Sequence, residues 1–250
     1  MPQYTRCLAL GDSETYGARA THGRTYPTIL EEQLSELHTN VPSIVINAGV
    51  NGERSWEIVD RGVGHLLSDE WIKIVLCMMG TNDSKPGSNT PIDLYMAQWD
   101  RLLRACRATD TMLYPLEIHA IDPVGQPEYD ALSNAKISEF NAHVKDWASQ
   151  NGLIYIDGLH EPFRADKTLL ADGIHPTNEG NDIIASRIAE FLSVPLASRR
   201  TEDVETEPQR GLWGGPAELR LTGIASDGTV KGTMINGNGQ HSAPAGAPGH

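Results

Sequence analysis

The sequence predicts an α/β domain over residues 1–195, a parallel sheet with helices on its faces. Three observations predict it. Short apolar runs alternate with longer stretches whose apolar residues recur at helical spacing. The run at 71–79 is apolar almost throughout, as a central strand buried on both faces must be. The strand-like runs also end in Gly, Asn, Asp and Ser, the residues of tight turns.

Five strands are expected, at 5–10, 43–47, 71–79, 111–118 and 153–157. The first ends at Gly11-Asp12-Ser13. Tyr26, Ile29, Leu30, Leu34 and Leu37 then share a helical face, with Thr25 as cap and Pro27 in the first turn. The second strand ends at Ala48-Gly49, and Trp56, Val59, Val63, Leu66 and Leu67 suit a short helix. The third ends at Gly80-Thr81-Asn82-Asp83. Helices are expected over 91–108, 132–150 and 178–192, with Trp99 and Trp147 at core spacing.

Residues 196–250 differ in character. The stretch 199–210 is charged and aperiodic and reads as a linker. In 218–235, Leu219, Leu221 and Ile224 face Val230, Met234 and Ile235 across Ser226-Asp227-Gly228, the pattern of a β-hairpin. Two strands are marginal alone, so this piece is expected to dock on something. From Asn236 the composition is rich in Gly, Pro, Ala and Asn and is expected to be disordered.

A net charge of −13 argues against nucleic acid and anionic membrane surfaces as partners, since both demand Lys/Arg patches. No apolar stretch is long enough for a membrane span. The strand-like run near residue 5 leaves no room for a signal peptide, so a cytoplasmic location is expected. Cys7, Cys77 and Cys106 are widely spaced and read as small hydrophobes in a reducing compartment. There is no CxxC, HExxH or GxSxG, so no metal is expected and the nucleophile elbow of the α/β-hydrolases is absent.

Ligands of an open parallel sheet bind beyond the carboxyl ends of its strands. Three strand ends and one later segment carry chemistry: Gly11-Asp12-Ser13, Asn51-Gly52, Gly80-Thr81-Asn82-Asp83 and Asp172-Gly173-Ile174-His175-Pro176. A serine hydroxyl attacks an ester only when a base takes its proton, and imidazole suits that task near neutral pH. Asp172 lies three residues before His175, a spacing that brings a carboxylate to Nδ1 and leaves Nε2 for Ser13. The backbone N–H of Ser13, the backbone N–H of Gly52 and the amide of Asn82 are candidate donors to the oxyanion.

These four blocks, in this order, resemble the GDSL/SGNH hydrolase superfamily over residues 5–192. The resemblance implies a flavodoxin-like three-layer α/β/α fold that uses no cofactor. It implies Ser13 as nucleophile, Asp172 and His175 as the pair serving it, and Gly52 and Asn82 as oxyanion donors. Gly49, three residues before Gly52, competes for the glycine role, with Gly52 preferred. Tyr16, Trp56 and His119 are candidate pocket residues; packing is the preferred role of Trp56, and a solvated loop position is the alternative for His119.

The expected function is hydrolysis of carboxylic esters of small acyl groups through an acyl-enzyme. A thioesterase, lysophospholipase or carbohydrate O-deacetylase on the same scaffold is the nearest rival. A binding or structural module with an auxiliary hydrolase fold is the rival of another class, prompted by the C-terminal extension. The oligomeric state is not legible.

Overall fold

A computed structural model of the chain describes residues 5–21, 23–37, 43–88, 90–197, 217–224 and 230–236. The sequence expectations for the linker, the hairpin turn and the terminal stretch lie outside these residues. The chain divides into two compact units, Met1–Arg200 and Thr201–His250.

In the first unit, strands β1 (Thr5–Gly11), β2 (Ser43–Gly49), β3 (Ile72–Met78) and β4 (Met112–Pro115) form a parallel sheet in the order β2-β1-β3-β4. Side chains alternate between its faces, because successive residues of a strand point to opposite sides. Cys7, Ala9, Ile74 and Leu76 enter one core with Tyr26, Leu30 and Leu34 of helix α2 (Tyr26–Leu37) and with Ile184 and Ile188 of the closing helix. Leu8, Leu10, Val75 and Cys77 enter the other. There they meet Ile58 of α3 (Ser55–Ser68), Trp99 of α4 (Ile92–Ala108), and Ile137 and Phe140 of α5 (Ser133–Gln150). The result is three layers, α/β/α. All three cysteines are buried thiols, and burial pushes those of Cys7 and Cys106 up to about 12.

The sheet has four strands rather than five. Residues 153–157 lie beside the fourth but pair with it at one bridge, Leu116 with Ile156. Past that point the ladder has no backbone to continue on. The N–H and C=O of Ile118 bond instead to the carboxamide of Asn141, and those of Ile121 to Asn134, both on α5. Side-chain amides thus satisfy the backbone groups of the buried segment that follows β4.

Chain order places the site. From β1 the chain crosses to β2 on one side and then to β3 on the other, so the crevice between these crossovers opens at the carboxyl ends of β1, β2 and β3. Register aligns those ends: Gly11 pairs with Gly49 and with Met78. A one-turn helix α1 (Ser13–Tyr16) follows β1 directly, short helix α6 (His160–Ala165) follows 153–157, and α7 (Asn178–Ala197) closes the unit.

In the second unit, β5 (Ala217–Ile224) and β6 (Val230–Asn236) pair antiparallel, with Leu219 opposite Met234 and Ile224 opposite Val230.

Candidate active site

Ser13 is the first residue of α1, and its position follows from the glycines around it. A Cβ on Gly49 would fall 2.0 Å from the Tyr16 nitrogen, so glycine is what lets α1 lie against β2. Asp12 caps α1 by accepting the Glu14 N–H at 3.3 Å, and Gly17 ends it in the left-handed conformation. Ser13 itself is buried apart from one face.

His175 comes from a tight turn ahead of α7. Asp172 Oδ1 accepts the N–H groups of Ile174 (3.1 Å) and His175 (3.0 Å), which folds the four residues into a loop around one carboxylate. Gly173 has φ +87°, and a Cβ there would lie 2.4 Å from the Asp122 carbonyl oxygen. Only glycine fits so close a backbone approach. Gln126 donates to the Asp172 carbonyl from the far side. Thr177 caps α7 through the Gly180 N–H at 3.2 Å.

These two local structures bring together groups 162 residues apart. His175 Nε2 lies 3.0 Å from Ser13 Oγ, and His175 Nδ1 lies 2.8 Å from Asp172 Oδ2. Arg19, a non-glycine residue at φ +70°, donates Nε to Asp172 Oδ2 at 3.0 Å. Burial acts to raise the Asp172 carboxyl. It is outweighed by the backbone and side chain of His175, by Arg19 and by the Ile174 N–H, which hold the group well below the usual carboxylate range.

The third strand end supplies Asn82. Its Nδ2 donates to the Glu53 carbonyl at 2.9 Å and lies 3.4 Å from Asp12 Oδ2. Its neighbour Asp83 accepts both the N–H and the hydroxyl of Ser55 at 2.9 Å, tying this turn to the start of α3. Arg61 on α3 pins the loop between, donating to Gly11 O at 3.1 Å, to Ala48 O and to the Glu53 carboxylate. The Gly49 N–H is occupied by Asn47 Oδ1 at 3.0 Å. Gly52 stands at φ +80° on the wall of the cavity.

That cavity holds about 450 Å³ and is lined by Ser13, His175, Gly52 and Asn82 together with Tyr16, Arg19, Asn51, Lys85, Gln126, Glu128 and Tyr129. Of the three pocket residues expected from sequence, Tyr16 lines it. Trp56 does not: it is half exposed in the first turn of α3 and packs in neither core. His119 is neither a cavity residue nor a solvated one. It has no exposed surface and stacks on Phe163 at 4.6 Å, because the apolar neighbours Ile118, Ala120 and Ile121 draw the whole segment inward. The sequence reading passed over Arg19, Arg61, Lys85, Gln126 and Tyr129, which carry no motif and meet only through the fold. Among the described residues, no three His, Cys, Asp or Glu side chains gather as a metal site, and no helix is long and apolar enough to cross a membrane.

A three-layer α/β/α sheet with a serine, an imidazole and a carboxylate aligned at its carboxyl edge defines a hydrolase. Residues 9–183 match the GDSL-like lipase/acylhydrolase family, and the chain belongs to that family. Solved structures with the same fold include a lipase/acylhydrolase from Enterococcus faecalis, with TM-score 0.65 and 18% identity over 76% of this chain and 96% of that one. A carbohydrate acetylesterase family member from Sinorhizobium meliloti superposes with TM-score 0.64 at 17% identity, over 77% and 99%. A catalytic mutant of an acetylxylan esterase from Geobacillus stearothermophilus gives 0.62 at 18% identity, over 74% and 93%. A search of curated proteins found no match.

Proposed function

We propose that this chain is a serine esterase acting on carboxylic esters of small acyl groups. One observation carries the reading: Ser13 Oγ, His175 and Asp172 form a continuous string of 3.0 Å and 2.8 Å contacts opening on the cavity. Ser13 Oγ attacks the ester carbonyl while its proton passes to His175 Nε2. Asp172 fixes the tautomer of His175 and stabilises the imidazolium. The imidazolium then protonates the leaving alcohol. Water, deprotonated by the same nitrogen, attacks the acyl-enzyme and releases the acid.

The oxyanion is assigned to the N–H groups of Ser13 and Gly52 and to Asn82. Gly52 is favoured over Gly49 because the N–H of Gly49 is already bonded to Asn47. The bond from Asn82 to the Glu53 carbonyl sets its amide plane and leaves its second hydrogen, held only by the 3.4 Å contact to Asp12, for the oxyanion.

Carbohydrate O-deacetylation is the second reading, and the cavity wall favours it. Asn51, Lys85, Gln126 and Glu128 offer hydrogen bonds to a polyhydroxy alcohol moiety rather than an apolar channel for an acyl chain. Two of the structurally similar proteins are described as a carbohydrate acetylesterase family member and an acetylxylan esterase. Covalent labelling by a fluorophosphonate probe, lost in Ser13→Ala, tests the serine chemistry; unlabelled folded wild type would refute it. A p-nitrophenyl ester series from acetyl to palmitoyl should peak at the short end, and a long-chain peak would reject the small-acyl assignment. Acetate release from acetylated sugars tests the second reading.

A further inference from the structure

Three ionisable side chains beside Ser13 take no part in the steps above. Asp12, Glu14 and His119 are each 1% exposed or less. Burying a carboxylate is costly, and an apolar side chain at position 14 would avoid the cost. Glu14 Oε2 nevertheless lies 3.4 Å from Ser13 Oγ, the atom that His175 Nε2 approaches at 3.0 Å. Glu14 Oε1 and His119 Nε2 are buried without a hydrogen-bond partner among the described residues. The Nδ1 of His119 lies 3.0 Å from the Ala120 carbonyl, which fixes the ring as an Nδ1–H donor with a bare Nε2.

Burial pushes the Asp12 carboxyl well above the usual range, and the neighbouring charge of Glu14 pushes it further. Burial opposes ionisation of Glu14 too. The hydrogen bond from Asp12 and the influence of His119 and His175 outweigh it and hold Glu14 below the usual range. The other titratable groups bearing on this pair are Asp83 from the turn after β3, Cys77 on β3, Tyr26 from α2, and Tyr129.

We propose that Glu14 is a positioning residue of the catalytic pair. Its buried carboxylate lies against the Ser13 oxygen and keeps a negative charge near His175 that favours the imidazolium. Glu14 takes no proton itself. When Ser13 attacks, its O–H bond breaks, a bond to the acyl carbon forms, and the proton goes to His175 Nε2. Glu14 stays ionised throughout. The inference rests on the serine-esterase reading for its catalytic meaning, but its electrostatic core can be measured without turnover.

The test follows the His175 imidazole C–H resonance against pH in the wild type and in Glu14→Gln. The Gln variant should titrate about 0.5–1 pH unit lower, because a nearby negative charge no longer supports the cation. The acid limb of kcat/KM on p-nitrophenyl acetate should move the same way by the same amount, a shift that a purely structural role would not produce. An unmoved imidazole midpoint overturns the proposal. Glu14→Leu gives the same reading should the amide fail to fold. In the wild type labelled with carboxyl-13C glutamate, the resonance that disappears in Glu14→Gln should be that of an ionised carboxylate at pH 7, and a protonated one also overturns it. Wild type that resists the fluorophosphonate probe refutes the esterase reading and leaves the midpoint comparison standing.

Discussion

Asp172 and Glu14 both lie beside the Ser13–His175 pair, yet the fold surrounds the two carboxyls in different ways. Asp172 sits in a partly open loop and accepts from two backbone amides, from the imidazole and from Arg19. Glu14 is sealed in α1 beside a second buried acid, Asp12, with one oxygen 3.4 Å from Ser13 Oγ. Donors stand in for the water shell of the first carboxylate; the second is buried with few partners. The first arrangement fixes geometry, while the second sets a field.

That contrast can be broken by experiment. Asp172→Asn should lower kcat by about 10²–10⁴-fold, since the imidazole loses the group that selects its tautomer. A loss no larger than that of Glu14→Gln would erase the distinction between orienting and field-setting carboxylates. Asn82→Ala should cost about 10²–10³-fold in kcat with little change in KM if its amide serves only the transition state. The acid limb of wild-type activity should fall with the slope of one proton. Asp172, held well below the usual carboxylate range, keeps its charge until far lower pH and so adds no proton to that limb. A two-proton slope would mean that a second acid joins it. Arg19→Gln should change kcat/KM by about two- to fivefold at most, because an exposed guanidinium adds little to a carboxylate that already has three other donors.

Much of the catalytic edge was legible because its chemistry lies where strands end. Ser13, Asn82 and the Asp172–His175 pair each follow a turn, and turn residues show in the sequence. The choice between Gly49 and Gly52 was not legible, since it depends on which N–H another side chain already occupies. The fifth strand failed for a related reason. Residues 153–157 have the composition of a strand but meet the chain after β4 at one bridge, and pairing is a property of two segments that the composition of one does not record. The environment of His119 was misjudged because a histidine in a loop reads as solvated, while the apolar run around it was the better signal. Glu14 reads as an ordinary charge in a turn. Its burial comes from α1 being pressed onto β2 at Gly49, a contact between segments that local sequence does not record.

Ser13 and His175 stand 162 positions apart, with three of the four strands between them in the chain. As the polypeptide leaves the ribosome, β1 and Ser13 emerge well before the imidazole that the proposed mechanism requires. Under the proposed mechanism, every nascent or truncated form that stops short of the Asp172 loop carries a serine without its base, and the pair is completed just ahead of the helix that closes the unit.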